Sequence, residues 1–337
     1  MPDEIREGVR GLLSEQWEEK QKAQFLELLS TRGERSKEMA GFASVLRELA
    51  EPLEGLNRVE DAIDICGTGS DRSGTFNVST TVMFVLAAAG IPVIKHGNRS
   101  ISSRSGSADV LEASGARVDL SPTVAVKCFN ELGVTFLFAP LYYKAFKVIA
   151  PVRRHLAERG VRTIFNLLGP LINPARPGFQ LVGVYAPDLT EICAEVLQRT
   201  GGRSGMVAHG FTEQPEVGLD ELSIGGPTRI SYFQQGAAIQ TTMIDARSFG
   251  IAHSPLQDLA GGTAADNARI LRDILANRLR GGPQDLIAFN AAAGLMVAGK
   301  VRNFGEGILA SREIIQSGLG TQKLEQFIEF TQSSRSL

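Results

Sequence analysis

The sequence predicts an α/β protein in which a small N-terminal helical domain joins a larger α/β domain with a mainly parallel central sheet. Residues 2–53 place apolar side chains at three- and four-residue steps, a spacing typical of amphipathic helices. From Ala62 onward, short apolar segments alternate with polar or glycine-rich loops and with helical segments, which is the pattern of a parallel sheet. A chain of 337 residues is long enough for about two domains.

The composition is that of an ordinary globular protein. Hydrophobic residues make up 43% and charged residues 21%, which excludes a disordered chain, a coiled coil and a fibrous repeat. Lysine and arginine number 35 against 37 acidic residues, for a net charge of −2, so we expect no nucleic-acid or membrane partner. Gly90 and Pro92 interrupt the longest apolar stretch, so we expect no transmembrane segment. Residues 1–17 carry charges throughout, so we expect no signal peptide and a cytoplasmic protein.

Cysteine and histidine show no metal-binding spacing. The three cysteines contain no CxxC pair, and the four histidines are scattered along the chain. We therefore expect buried, unpaired thiols and no transition-metal site.

Three or more short helices are predicted before residue 53, and Gly33 interrupts their pattern. Their apolar positions are Val9, Leu12 and Leu13, then Phe25, Leu28 and Leu29, then Met39, Phe42, Val45, Leu46 and Leu49. Such a helical layer can cover its own domain or provide a dimer surface.

The second part of the chain contains five apolar segments that predict buried strands. These segments are residues 62–65, 92–94, 134–138, 180–185 and 205–210, and the predicted helices are residues 80–89, 123–132 and 188–200. In a parallel sheet, ligands bind at the carboxyl ends of the strands, so we expect the site in the loops that follow these segments.

The loop after the first predicted strand is rich in glycine and hydroxyl groups. Its glycines allow the backbone to approach a ligand closely, and Ser79 or Thr80 can cap the helix that follows. Free N–H groups at a helix N-terminus favour phosphate. The loop is neither a Walker A motif nor a GxGxxG motif, and Asp71 inside it suits ribose hydroxyls or metal-bound water.

Two further segments add charge to the predicted site. Residues 95–107 contain three cations and five serines directly after a strand, which favours a polyanion site over a structural loop. Arg153 and Arg154 form a pair, and one of them pointing inward could bind a carboxylate through its two-pronged guanidinium. Asp220 and Glu221 are surface acids unless they lie beside a phosphate, where they become candidate Mg²⁺ ligands. Together these loops predict a site for a diphosphate or phosphosugar with Mg²⁺, and an arginine that binds a second, anionic substrate.

The motifs identify a resemblance to the anthranilate phosphoribosyltransferases of tryptophan biosynthesis. The family pattern GTGGDGxxTFNxST is matched at residues 67–80, and KHGNRxxSSxSGxADxLExxG at residues 95–115. The patterns APxxxxAxxxVxPVRR and RTxFNLLGPLxNPA are matched within residues 139–175, and HG…GLDE at residues 209–210 and 218–221. The resemblance extends over nearly the whole chain.

The resemblance implies a fold similar to that of type II nucleoside phosphorylases and a homodimer formed through the helical part. It implies a helical domain of residues 1–60 plus about 141–174, and an α/β domain of residues 61–140 and 175–337. The implied reaction transfers the phosphoribosyl group of phosphoribosyl pyrophosphate to the amine of anthranilate, giving N-(5-phosphoribosyl)anthranilate and pyrophosphate.

The resemblance also implies three sets of site residues. We assign no obligatory general base, because an aryl amine is already neutral at pH 7 and positioning should count for more than a strong base. The set for phosphoribosyl pyrophosphate is Gly67, Ser70, Asp71, Thr75, Asn77, Val78, Ser79, Thr80, Lys95, Ser103 and Ser107. The set for anthranilate is Gly67, Asn98, Tyr143 and Arg153, with Arg153 on the carboxylate, and the Mg²⁺ ligands are Ser79, Asp220 and Glu221.

The chain departs from the family pattern in three places. Ser70 and Arg72 stand where the family has glycine, and residues 142–146 read Tyr-Tyr-Lys-Ala-Phe where the family has His-His-Pro-Ala-Met. Three extra residues also lie between Arg154 and Arg162. Tyr143 takes the place of the histidine that faces the aromatic acid, so a second interpretation keeps the enzyme class and changes the aromatic acceptor. A non-catalytic nucleic-acid-binding relative is disfavoured by the net charge and the intact motifs. A nucleoside phosphorylase would leave the Asp220–Glu221 pair without a role.

Overall fold

The computed structural model describes residues 3–69, 73–100 and 104–334. The chain begins with three amphipathic helices, α1 (Asp3–Leu12), α2 (Glu19–Arg32) and α3 (Ser36–Glu48). Gly33 ends α2 with φ at 81°, a left-handed backbone conformation that glycine adopts without strain. The predicted helical layer is therefore confirmed, including the break at Gly33.

An eight-stranded sheet forms the centre of the rest of the molecule. Its strands are β1 (Ile63–Gly67), β2 (Val93–Gly97), β3 (Val134–Phe138), β4 (Phe179–Gly183), β5 (Ser204–Phe211), β6 (Gly218–Leu219), β7 (Thr228–Gln234) and β8 (Gln240–Ile244). The strand order is β3-β2-β1-β4-β5-β7-β8, with β6 paired to β5. Strands β1 to β5 are parallel and β6, β7 and β8 are antiparallel, so the mainly parallel sheet is confirmed.

Eleven further helices surround the sheet within the described residues. They are α4 (Val78–Ala88), α5 (Ser107–Ala113), α6 (Pro122–Leu132), α7 (Ala139–Tyr142), α8 (Phe146–Glu158), α9 (Phe165–Leu168), α10 (Leu189–Arg199), α11 (Ala264–Leu275), α12 (Gly282–Val297), α13 (Phe304–Ser317) and α14 (Leu319–Ser333). The helices predicted from residues 80, 123 and 188 are α4, α6 and α10. The predicted cap was wrong: α4 begins at Val78 after Asn77, so Ser79 and Thr80 lie in its first turn. Among the described helices, none is both long enough and apolar enough to cross a bilayer.

Apolar side chains on the two faces of the sheet belong to two different cores. Ile63 and Ile65 of β1 point into a core shared with α4 and α12. Ile94 of β2 and Val182 of β4 belong to the other core, which contains the buried faces of α1 and α3. The N-terminal helical layer is thus packed onto one face of the sheet.

Candidate functional site

The strand order reverses direction between β1 and β4, and the candidate site lies at the carboxyl ends of these two strands. Their last residues, Gly67 and Gly183, are paired in register. Strand β2 continues the sheet on one side of this point and β5 on the other. Such a switch point leaves a crevice where open α/β sheets bind ligands.

Asp220 is inserted between the two glycines. A Cβ atom on Gly67 would lie 2.8 Å from Asp220 Cγ, and a Cβ atom on Gly183 would collide with the Asp220 backbone. The Asp220 carboxylate accepts a hydrogen bond of 2.6 Å from the backbone N–H of Gly69 and one of 3.4 Å from the Thr68 hydroxyl. The close approach at Gly67 is therefore made to a protein carboxylate, and the predicted approach of a ligand to this loop stays a prediction.

Glu221 joins the acidic pair to the N-terminus of α4. Its carboxylate oxygen Oε1 accepts a hydrogen bond of 3.3 Å from the Ser79 backbone N–H. The positive end of the helix dipole favours this carboxylate. The structure therefore brings Glu221 and Ser79 together, with Asp220 next in the chain and bound to the glycine loop.

Lys95 brings a buried cation to the same helix end. The residue is 2% exposed on β2, and its Nζ donates to the Ile65 carbonyl and, at 3.1 Å, to the Ser79 hydroxyl. Hydrogen bonds from an ionised donor are stronger than neutral ones. Lys95 therefore adds positive charge at the start of α4, where a phosphate group would bind.

Asn77 connects three loops above α4. Its amide nitrogen donates to the Ser105 carbonyl at 3.2 Å, and its side-chain oxygen accepts from Asn267 Nδ2 at 2.8 Å. Asn267 in turn accepts from the Gly262 N–H at 2.8 Å. Thr75 lies in the same region, where it forms a β-bridge with Ala260. The loop containing Thr75 and Asn77 is thus anchored to residues near the start of α11.

The loop after β2 is also ordered by internal hydrogen bonds. The Asn98 side chain accepts from the Arg99 N–H at 2.7 Å, and its carbonyl accepts from the Ser107 hydroxyl at 3.4 Å. Arg99 lies on the surface and pairs with Glu112 and Asp109. The three predicted cations of this loop therefore differ in role, because Lys95 is buried in the site and Arg99 neutralises surface acids.

Arg153 and Arg154 have different environments, in agreement with the expectation that one arginine of the pair points inward. Arg153 is half-buried on α8, and its guanidinium lies 5.1 Å from the centre of the Phe165 ring, whereas Arg154 is exposed. Burial lowers the pKa of Arg153 from its ordinary value. Within the described part of the chain, Arg153 has no carboxylate partner. A desolvated cation without a counter-ion is a suitable partner for an anionic ligand.

Tyr143 is buried, and its hydroxyl donates to the Ile172 carbonyl. Its ring stacks on Phe146 with centroids 5.1 Å apart, and Phe146 meets Phe165 edge to face at 5.7 Å. Burial raises the pKa of the Tyr143 hydroxyl above its usual range, so the residue remains neutral. The aromatic wall formed by Tyr143, Phe146 and Phe165 ends at Arg153.

The structure shows no ligand-facing contacts for several of the predicted residues that it describes, and others lie outside the described part of the chain. Ser70, Asp71, Arg72 and Ser103 lie outside the described residues. Val78 and Thr80 are buried in the first turn of α4. Burial raises the pKa of the Cys66 thiol beside the glycine loop to about 12, so this thiol stays protonated at neutral pH and is no nucleophile.

The donor set around Ser79 suits Mg²⁺. Two carboxylates and one hydroxyl offer hard oxygen atoms, and Mg²⁺ typically binds one or two carboxylates together with waters and substrate phosphates. The described residues contain no cluster of three histidine, cysteine or acidic side chains. Asp220 and Glu221 are the residues that would hold it, with Ser79.

Two polar arrangements in the structure were not assigned a role from the sequence. Asp64 and His96 form a buried pair beneath the site, with His96 Nδ1 at 2.7 Å from Asp64 Oδ2. The available signal was an acidic residue inside an otherwise apolar strand. Asn267 is the second residue without an assigned role. Its contact with Asn77 spans 190 residues, so no local pattern predicts it.

The chain matches the two parts of one enzyme family. Residues 59–321 match the glycosyl transferase family, a/b domain, and residues 2–50 match the glycosyl transferase family, helical bundle domain. The anthranilate phosphoribosyltransferase of Moorella thermoacetica is 46% identical over 311 residues, which cover 92% of this chain and 88% of the relative. That of Desulfosudis oleivorans is 45% identical over 310 residues, with the same shares covered.

Solved structures agree with these matches. The anthranilate phosphoribosyltransferase from Thermus thermophilus superposes with a TM-score of 0.89 at 38% identity, covering 98% of this chain and 95% of that chain. The Saccharomyces cerevisiae enzyme in complex with phosphoribosyl pyrophosphate and Mg superposes with a TM-score of 0.85 at 26% identity, covering 97% and 91%. The family expected from the motifs is confirmed, and this chain belongs to the anthranilate phosphoribosyltransferases of the glycosyl transferase family.

Proposed function

We propose that the crevice between β1 and β4 is the catalytic site in which this chain transfers the phosphoribosyl group of phosphoribosyl pyrophosphate to the amine of anthranilate. The products are N-(5-phosphoribosyl)anthranilate and pyrophosphate. The observation that carries this proposal is the Asp220 carboxylate, which is inserted against Gly67 and bound to the N–H of Gly69. It places an acidic pair within the glycine loop that the family motif defines.

The sugar diphosphate would bind over the N-terminus of α4. Support comes from Lys95, whose ammonium group lies beside Ser79, and from the helix dipole, which favours anions there. Asn77 and Thr75 are held in place on the same loop. The assignments of Ser70, Asp71, Val78, Thr80, Ser103 and Ser107 to the sugar diphosphate stay predictions.

Mg²⁺ is the cofactor of this reaction, and Ser79, Asp220 and Glu221 would hold it. When bound, the ion neutralises negative charge that develops on the departing pyrophosphate. The hydrogen bonds of Asp220 to Gly69 and of Glu221 to Ser79 keep both carboxylates on the loop where the diphosphate binds.

Anthranilate would bind on the side of the crevice that faces α8. Arg153 would hold its carboxylate, Asn98 would contact it from the loop after β2, and the aromatic wall that includes Tyr143 would enclose its ring. The amine of anthranilate is neutral at pH 7, so it needs no strong base to become a nucleophile. Orientation of the amine towards the sugar carbon then provides most of the acceleration.

The acidic pair provides a direct test of this assignment. Purified protein with phosphoribosyl pyrophosphate should release pyrophosphate only when both anthranilate and Mg²⁺ are present. The double variant Asp220→Asn/Glu221→Gln should lose Mg²⁺-dependent binding of phosphoribosyl pyrophosphate in a calorimetric titration. Unchanged binding in the variant and without Mg²⁺ would contradict the metal assignment.

The assembly and domain limits are proposed on separate grounds. Leu28 and Leu49 of the helical layer are 71% and 45% exposed, which supports a homodimer through this layer. Sedimentation velocity should give a dimer for the wild type and a monomer for Leu28→Glu. A wild-type monomer would refute the dimer.

We also propose a cytoplasmic location. We further propose that the helical domain includes residues of about 141–174, and the packing of α8 on α2 and of α9 on α3 supports this limit.

A further inference from the structure

A buried acid and imidazole lie on the sheet face that carries the helical layer. Asp64 in β1 and His96 in β2 have side chains that are 2% and 5% exposed. The Asp64 carboxylate accepts two hydrogen bonds from His96, one from the backbone N–H at 3.3 Å and one from ring Nδ1 at 2.7 Å. The catalytic assignments above give neither side chain a role.

The ring is held at both nitrogens. Nδ1 faces the Asp64 carboxylate, and Nε2 lies 2.6 Å from the carbonyl oxygen of Gly169. Burial raises the pKa of Asp64, but the charge and hydrogen bond of His96, with the charge of Lys95, outweigh burial and leave the pKa below its ordinary value. The ring is therefore fixed by Asp64 on one side and by Gly169 on the other.

The ring joins two segments that contribute to the proposed acceptor site. His96 stands two residues before Asn98. Gly169 begins the short 3₁₀ helix that leads the chain away from α9, which contains Phe165. A second contact joins the same segments, because Asn173 donates to the carbonyl of Ile94 in β2 at 2.8 Å. The end of β2 and the segment after α9 are therefore tied at two points.

We propose that Asp64 is a positioning residue for the acceptor. Asp64 holds the His96 ring, and the ring in turn connects the end of β2, just before Asn98, to the 3₁₀ turn at Gly169, just after α9. The spacing between Asn98 on one side and the Arg153–Phe165 pair on the other then depends on this buried pair. The inference rests on the acceptor site proposed above.

Two substitutions at Asp64 separate this role from a merely structural one. Asparagine has the shape of aspartate, and its amide can donate to Nδ1 of a neutral ring while Nε2–H still donates to Gly169. Alanine offers no partner to Nδ1 and releases the ring. The positioning role therefore predicts that asparagine rescues much of what alanine loses.

Steady-state kinetics test this difference. Asp64→Ala should raise the KM for anthranilate by about tenfold or more, because losing the support of a bound group commonly costs ten- to a hundredfold. Asp64→Asn should stay within about threefold of the wild type, and the KM for phosphoribosyl pyrophosphate should change little in both variants. Leu197→Ala, a core truncation at the far end of α10, controls for loss of stability. A folded Asp64→Ala variant with an unchanged anthranilate KM would overturn the proposal.

Nitrogen-15 NMR of the imidazole rings tests the same proposal without turnover or folding of the alanine variant. The His96 signals are identified by their loss in His96→Gln. In Asp64→Asn the Nδ1 signal should move, because its partner changes from a carboxylate to an amide, whereas the Nε2 signal should change little, because its partner Gly169 is unchanged. An unchanged Nδ1 signal in Asp64→Asn would overturn the proposal, and this result is distinct from an absence of transferase activity, which would refute the proposed acceptor site instead.

Discussion

The substitution Gly67→Ala tests whether the close approach of Asp220 to the glycine loop is required. The new Cβ atom would lie 2.8 Å from Asp220 Cγ, whereas ordinary contact begins at 3.4 Å, so the carboxyl group must move by at least 0.6 Å, the difference between these distances. The Asp220 backbone is packed against Gly183 and cannot retreat, so the carboxylate must rotate instead. Rotation breaks the 2.6 Å hydrogen bond from the Gly69 N–H.

A hydrogen bond to a charged group contributes about 1.5–3 kcal/mol, which corresponds to a loss of about ten- to a hundredfold in kcat/KM for phosphoribosyl pyrophosphate. The assay is the initial rate of pyrophosphate release at saturating Mg²⁺, with substrate varied. Gly305→Ala on α13 is the matched control, since its Cβ atom would meet only Asn303 Oδ1, at 3.3 Å. If Gly67→Ala retained the wild-type kcat/KM and its fold, the role assigned to Asp220 and the glycine loop would be refuted.

Two further predictions concern groups outside the glycine loop. Asn267→Ala removes the donor to Asn77 Oδ1. The loss should raise the KM for phosphoribosyl pyrophosphate by about fivefold to tenfold, which corresponds to about 1 kcal/mol. The control Asn303→Ala, which removes only the cap of α13, should leave that KM unchanged. The pKa of Asp64 is lowered in the folded chain, so its carboxylate stabilises the fold above the ordinary value of 3.8, and this contribution is lost as the pH falls through the lower folded pKa. In urea unfolding, the stability advantage of the wild type over Asp64→Asn should shrink between about pH 5 and pH 3, and a constant difference would contradict the ionised pair.

The buried half of the sheet could be predicted from the sequence, and its exposed edge could not. Strands β1 to β5 are largely buried, and each contains enough apolar residues to predict a strand even where Asp64, Lys95 or His96 interrupts them. Strand β8 contains Gln240, Thr241 and Thr242 and is mostly exposed at the edge, so its sequence does not differ from that of a loop. Strand β7 is more buried, but Thr228, Arg229 and Ser231 interrupt its apolar residues, so no strand was predicted there.

The loops of the site could be predicted, but the contacts between them could not. Clustered glycines and paired acids are local signals, and they singled out Gly67, Asp220 and Glu221, which the structure brings together. The insertion of Asp220 between Gly67 and Gly183 depends on strand order, which brings together residues far apart in the chain. Local pattern also failed at the start of α4, because Asn77, Ser79 and Thr80 are all suitable N-cap residues and propensity does not choose among them.

Side-chain direction could not be derived from local pattern at two positions. The arginine pair alone allowed either member to point inward; the family resemblance named Arg153, and the structure packs this arginine against Phe165. Tyr143 occupies the position of a family histidine, yet it is buried and its hydroxyl donates to the Ile172 carbonyl.

The most direct test of the assigned acceptor is the loss of anthranilate fluorescence during turnover with phosphoribosyl pyrophosphate and Mg²⁺, measured for the wild type, Arg153→Ala and Arg154→Ala. We expect turnover by the wild type, a loss of about ten- to a hundredfold in kcat/KM for anthranilate in Arg153→Ala, and little change in Arg154→Ala. Equal effects of the two substitutions, or no consumption of anthranilate by a wild-type protein that binds phosphoribosyl pyrophosphate with Mg²⁺, would contradict it.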